Sequence, residues 1–239
     1  MTLIEAPSPN FNERKVPPDI LVLHYTGMQT GEAALQRLCD ASAEVSSHYL
    51  VEEDGRIFRL VAEERRAWHA GVSFWKGERD INGRSIGIEI VNPGHEFGYR
   101  PFPPAQIASV IELISDIRSR WDIEDSRIIG HSDVAPARKE DPGELFPWKT
   151  LAEAGHGLWV EPAPAPGEPL SEGAEGAGVF ALQAGLTRLG YDCAPSGTFD
   201  VRTTETIRAF QRHWRQEQVD GIADGETRAR LIALLRAAA

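Results

Sequence analysis

Two histidines and an aspartate, His24, His131 and Asp141, are the side chains of this sequence best suited to chemistry. Each histidine closes or interrupts an apolar, β-like run: His24 in ILVLHYTG (20–27), His131 at the end of RIIGH (127–131). Asp141 follows in a loop braced by Pro136, Pro142 and Pro147, with Lys139 two places before it. Neutral imidazole and carboxylate are good zinc donors. Three protein ligands with a fourth position left to water is the catalytic rather than the structural pattern. The sequence has no CxxC pair and no compact histidine cluster, which disfavours a purely structural zinc. Either histidine taken singly reads as a satisfied core residue; the pair together with the proline-braced carboxylate points to a metal.

Two other strings imitate catalytic motifs. GRSIG (83–87) has the form of a nucleophile elbow around Ser85, but that elbow needs a strand before the serine and a helix after it. Here Ser85 precedes a strand. HEFGY (95–99) starts like a zinc-binding H-E-x-x-H, but its fifth residue is Tyr99, and Pro93-Gly94 argue against a helix there.

The elements that must position these residues alternate between β-like and helical patterns. SSHYLVEEDGRIFRLV (46–61) reads as a hairpin around Asp54-Gly55. SIGIEIVN (85–92) alternates cleanly, with Ile86, Ile88 and Ile90 on one face and Gly87, Glu89 and Val91 on the other. From Pro104 to about Trp121 the apolar positions Ile107, Val110, Ile111, Ile114 and Ile117 form a helical stripe, with prolines at its start. Mixed strands and helices of this kind predict an α/β domain, a mixed central sheet flanked by helices, over residues 1–160.

Residues 161–178, EPAPAPGEPLSEGAEGAG, lack aromatic and basic residues and read as a linker, extended at first and flexible later. Fully stretched, it spans on the order of 50 Å at ~3 Å per residue. Residues 179–239 carry only helical patterns and predict a small three-helix domain. A half-repeat runs through it: Gly197-x-x-Asp200-x-x-Thr203-x-x-x-Ile207 recurs as Gly221-x-x-Asp224-x-x-Thr227-x-x-x-Leu231, each aspartate placed to cap a helix. Nothing in it resembles a reaction centre, so its expected role is binding.

A net charge of -11 argues against a nucleic-acid partner. No run reaches the ~20 apolar residues of a membrane span. The first twenty residues lack a secretory pattern, so the expected location is cytoplasmic, with the periplasm as the alternative. Cys39 and Cys193 lie far apart and predict no disulfide. The sequence does not fix an oligomeric state.

In order, LVLHYTG, SSHYLVEEDG, AWHAG (67–71), SIGIEIVN and IIGHSDVAPARKEDPGELFPW resemble the type-2 N-acetylmuramoyl-L-alanine amidases. That family shares its fold with phage amidases and peptidoglycan-recognition proteins. Residues 178–236 resemble a three-helix peptidoglycan-binding module, with Asp224 where that module more often has glycine. The resemblance implies Zn²⁺ on His24, His131 and Asp141, with Glu89 as catalytic glutamate and Lys139 as catalytic lysine. It also implies hydrolysis of the amide between N-acetylmuramic acid, or its 1,6-anhydro form, and L-alanine, in bacterial cell-wall turnover and recycling. Without the resemblance, Glu89 reads as part of a solvated sheet face and Lys139 as a surface ion pair with Glu140 or Asp133. Trp68, His69, His48 and Tyr49 fall in the shared motifs and are expected as groove wall and packing. Two rival functions remain: a non-catalytic peptidoglycan sensor, and a serine hydrolase built on Ser85.

Overall fold

The computed structural model describes residues 2–238. The chain opens with β1 (Leu3–Glu5), β2 (Phe11–Glu13) and β3 (Ile20–Tyr25), then helix α1 (Gly31–Cys39). A hairpin of β4 (Tyr49–Val51) and β5 (Ile57–Arg59) turns through Asp54-Gly55, as the sequence predicts. β6 (Arg65–Ala67), the short helix α2 (Ile81–Arg84) and β7 (Ser85–Ile90) follow. Next come a single turn, α3 (Gly94–Phe97), and the long helix α4 (Pro104–Arg120). β8 (Ile128–Gly130), the turn α5 (His131–Val134) and α6 (Trp148–Glu153) complete the first part. The turn at α3 corrects the expectation that Pro93-Gly94 exclude helix: one turn forms, but Tyr99 lies beyond it and no second histidine joins His95.

Six strands make one mixed sheet in the order β1-β5-β4-β7-β3-β8. β3 lies parallel to both β7 and β8, and β4 runs parallel to β7 but antiparallel to β5. The period of two divides this sheet. Leu21, Leu23, Ile86, Ile88, Ile90 and Ile128 share a buried cluster with Ile107, Val110, Ile114 and Ile117 of α4. Burying each such side chain contributes roughly 1.5–3 kcal/mol, which is why the stripe on α4 decides where it docks. The opposite face carries Ile20, Val22 and Ile129, and these belong to a different cluster.

Three helices, α7 (Ala177–Leu189), α8 (Val201–Trp214) and α9 (Gly225–Ala237), form the second module. The half-repeat is structural: the Asp200 side chain accepts from Thr203 N and that of Asp224 from Thr227 N. Two buried glutamines repeat as well. Gln183 Oε1 accepts from Ser196 N and Gly197 N, and Gln211 Oε1 from Asp220 N and Gly221 N. The segment expected to be a linker, extended at first and flexible later, is laid onto this module. Ala165 N donates to Gly225 O, Leu170 pairs with Ala223, and Gly173 N donates to Phe199 O. The two modules also share a core: Ile20, Val22, Trp75, Ile129 and Val134 cluster with Leu186, Tyr191, Phe210 and Trp214. Cys39 and Cys193 are free.

Candidate active site

Strand register brings the first two residues together. His24 follows Ile20 and Val22 on one face of β3 and pairs directly with Glu89 on β7, so their side chains rise side by side from the same face. β8, on the other flank of β3, ends at Gly130, and His131 begins α5 immediately beyond it. Gly130 is required by a close approach: a Cβ there would lie 2.8 Å from Pro142 Cδ. With Ser132 N donating to Asp141 O at 2.8 Å, that approach folds the proline loop back over β8.

The three sequence-chosen donors converge. His24 Nδ1 lies 2.9 Å from His131 Nδ1 and 3.1 Å from Asp141 Oδ2, and His131 Nδ1 is 3.0 Å from the same oxygen. All three residues are buried. Donors around a tetrahedral zinc with bonds of about 2.0–2.2 Å sit about 3.3–3.6 Å apart, so the triangle has nearly the right size.

The hydrogen-bond network fixes which nitrogen of each ring is bare. His131 Nε2 faces Ala70 O at 3.1 Å, and a carbonyl only accepts, so its proton is on Nε2. His24 is fixed through a longer chain. The Ser85 hydroxyl donates to Ile81 O at 2.6 Å, which leaves Ser85 Oγ to accept from His69 Nε2 at 3.1 Å. His69 Nδ1 is then an acceptor and takes the proton of His24 Nε2 at 3.0 Å. Both Nδ1 atoms therefore face Asp141 with lone pairs. Three acceptors meet with no proton among them, an arrangement that a cation satisfies.

Burial, then the electrostatic influence of His131, lowers the His24 pKa to about 4, keeping the ring neutral. Burial, then His24, hold His69 well below the usual histidine range. Burial opposes ionisation of Asp141, but the adjacent imidazoles prevail and its pKa is lowered. Glu89 is raised well above the usual glutamate range by burial and then by Asp141, against the pull of Lys139. The residue keeps partial exposure toward the cleft, yet its Oε2 is buried without a hydrogen-bond partner. A cleft of about 460 Å³ is lined by His24, Glu89, His131, Lys139, Asp141 and Trp68.

Among the described residues, Lys139 forms no ion pair with Glu140 or Asp133. Glu140 pairs with Arg212, and Asp133 is engaged by Tyr191 and His213. Ser85 follows a helix and starts a strand, the reverse of an elbow. Trp68 lines the cleft, and His48 and Tyr49 are packed, as expected. His69 is more than packing, because it bonds His24. Its signal is Gly87: a Cβ there would sit 2.5 Å from His69 Cγ, so the glycine on the polar face of β7 marks where a ring crosses the strand.

Residues 14–144 match the N-acetylmuramoyl-L-alanine amidase family, and residues 175–231 match a putative peptidoglycan-binding domain. The chain belongs to the type-2 N-acetylmuramoyl-L-alanine amidases. It is 39% identical to N-acetylmuramoyl-L-alanine amidase AmiD of Escherichia coli K12, covering 90% of this chain and 82% of that protein. The solved complex of E. coli AmiD with anhydro-N-acetylmuramic acid-L-Ala-D-γ-Glu-L-Lys superposes with a TM-score of 0.79 at 37% identity, over 93% of this chain and 90% of that one. The 1,6-anhydro-N-acetylmuramyl-L-alanine amidase AmpD of Haemophilus influenzae is 36% identical over 59% of this chain and 86% of its own length. The fold class expected from the sequence is the fold of this family.

Proposed function

We propose that this amidase is zinc-dependent, with His24, His131 and Asp141 holding the ion and Glu89 and Lys139 acting on the substrate. The observation that carries the reading is the meeting of three lone-pair donors, two Nδ1 atoms and one carboxylate oxygen, within 3.1 Å of one another. A zinc bound there supplies Lewis-acid chemistry, acidifying water and polarising an amide carbonyl.

This chain's residues supply the rest. Glu89 takes the proton of the attacking water and later delivers one to the leaving alanine nitrogen. Burial raises this carboxyl well above the usual glutamate range, which makes its carboxylate a stronger base toward water than a solvated one. The Lys139 ammonium faces the same cleft and stabilises the oxygen that becomes negative at the tetrahedral carbon. Trp68 forms an apolar wall against which a sugar or stem peptide can lie. The substrate is the amide between N-acetylmuramic acid, with the 1,6-anhydro form included, and L-alanine of a peptidoglycan fragment, as in cell-wall recycling. The second module holds the same polymer or its fragments.

The test is release of free stem peptide from purified muropeptides before and after stripping with a chelator. Cleavage that stops on stripping and returns with zinc is the expected result. Cleavage indifferent to the chelator refutes the metal reading, and no cleavage under any condition favours the sensor.

A further inference from the structure

The second module touches the ligand loop at several independent points. Asp133 stands two residues after His131 and is almost fully buried. Its Oδ2 accepts from Gly130 N at 2.8 Å, which closes the turn that presents His131. Its other partners come from the second module: His213 Nδ1 donates to Oδ2 at 2.7 Å and the Tyr191 hydroxyl donates to Oδ1. The His213 ring lies on Trp148 of α6, with centroids 3.7 Å apart. One helical turn along α8 and just past its end, Gln216 Nε2 donates to both Glu144 O at 2.6 Å and Phe146 O at 2.7 Å. Between these points Arg212 pairs with Glu140, the residue separating Lys139 from Asp141. Arg212, His213 and Gln216 thus follow the loop from the first histidine-bearing turn to its end.

The contacts to Asp133 are built from buried groups, whereas the Arg212–Glu140 pair is half-exposed and the Gln216 bonds are part-buried. Tyr191, Asp133 and His213 are each no more than 2% exposed. A buried carboxylate whose hydrogen-bond donors come from another module ties the position of one to the other.

We propose that the second module is part of the metal site's framework: Tyr191, His213 and Gln216 are positioning residues that hold the loop bearing His131, Lys139 and Asp141. The module then does more than retain polymer near the cleft. Ligand geometry has to be kept within about 0.5 Å, and hydrogen-bonded partners behind the ligands commonly set metal affinity by about 10–100-fold. The inference rests on the zinc reading above.

The experiment uses the full chain. Tyr191→Phe removes a single hydroxyl from Asp133, and Gln216→Ala frees the carbonyls of residues 144 and 146. Gln183→Ala is the control: it loosens the second module's own 196–198 loop and has no bond to residues 131–147. Zinc dissociation constants are measured by competition with a chromophoric chelator, at a temperature where circular dichroism reports every variant folded. Retention on insoluble peptidoglycan is measured in parallel. The expected result is zinc affinity weaker by about tenfold or more in Tyr191→Phe and Gln216→Ala, with retention kept, and unchanged zinc affinity in Gln183→Ala. Equal zinc affinity in all four proteins overturns the inference and leaves the metal reading standing, as does an equal loss in the control. A wild-type chain that binds no zinc overturns both.

Discussion

Ser85 is the sharpest probe of the site, because the hydrolase and serine-nucleophile readings give it opposite jobs. In the structure its hydroxyl donates to Ile81 O and accepts from His69 Nε2. Ser85→Ala leaves the buried His69 Nε2–H with no acceptor, at a cost of about 1–3 kcal/mol. The metal-free protein has an escape: His69 can move its proton to Nδ1, and His24 then holds its own proton on the Nδ1 that should bind the ion. Zinc binding must undo that escape, so most of the cost falls on the loaded state. A loss of about 1.4–2.7 kcal/mol corresponds to zinc binding weakened about 10–100-fold, the usual range for partners behind a ligating histidine. Chelator competition on folded Ser85→Ala measures it, and turnover at saturating zinc should recover most of the wild-type rate. Zinc affinity within twofold of wild type would refute the proton assignment. Abolished turnover with zinc bound normally would restore Ser85 as a nucleophile.

Glu89→Gln should lower the rate of stem-peptide release by about 10²–10⁴ while zinc affinity changes little, since the amide keeps the shape but cannot accept a proton; a variant retaining a tenth of the wild-type rate would remove Glu89 from its role. His48 makes a pH prediction. Its Nδ1 accepts from Gly87 N and Arg14 lies against its Nε2, so burial and then Arg14 lower its pKa to about 3. An unfolded histidine titrates near 6.5, so between these values the unfolded chain binds the extra proton. Stability is therefore full above about pH 6.5 and falls as the pH drops, by about 2 kcal/mol at pH 5 from this residue alone. Urea unfolding of metal-free protein at pH 7.5 and 5 should show the loss, and His48→Gln should shrink it; equal pH dependence in the two proteins counts against the neutral, buried ring.

What was legible in the sequence was what periodicity and residue type encode. The alternation of Ile86, Ile88 and Ile90 gave β7 its buried face, and the stripe from Ile107 to Ile117 gave α4 the surface that covers it. His24 and His131 were readable because each closes or interrupts an apolar run, and Asp141 because it sits in a loop braced by prolines. The half-repeat predicted both capping aspartates. The linker was misjudged for a physical reason: composition reports side chains, whereas residues 165, 170 and 173 are held by backbone bonds that composition does not encode.

The residues that were missed act at long range in the chain. His69 and Ser85 matter because α2 and β7 bring them behind His24, and Asp133 because its donors lie 58 and 80 positions away. None of these relations leaves a periodic trace. What they have in common is neutral geometry: the rings at 24 and 131 are each pinned by a proton donated away from the cleft, to His69 and to Ala70 O. Had either proton pointed inward, it would have bridged to Asp141 and satisfied the carboxylate without any ion. The backing groups are thus what leaves three ordinary hydrogen-bonding side chains with lone pairs facing one another, and the second module, through Asp133, braces the turn that presents His131.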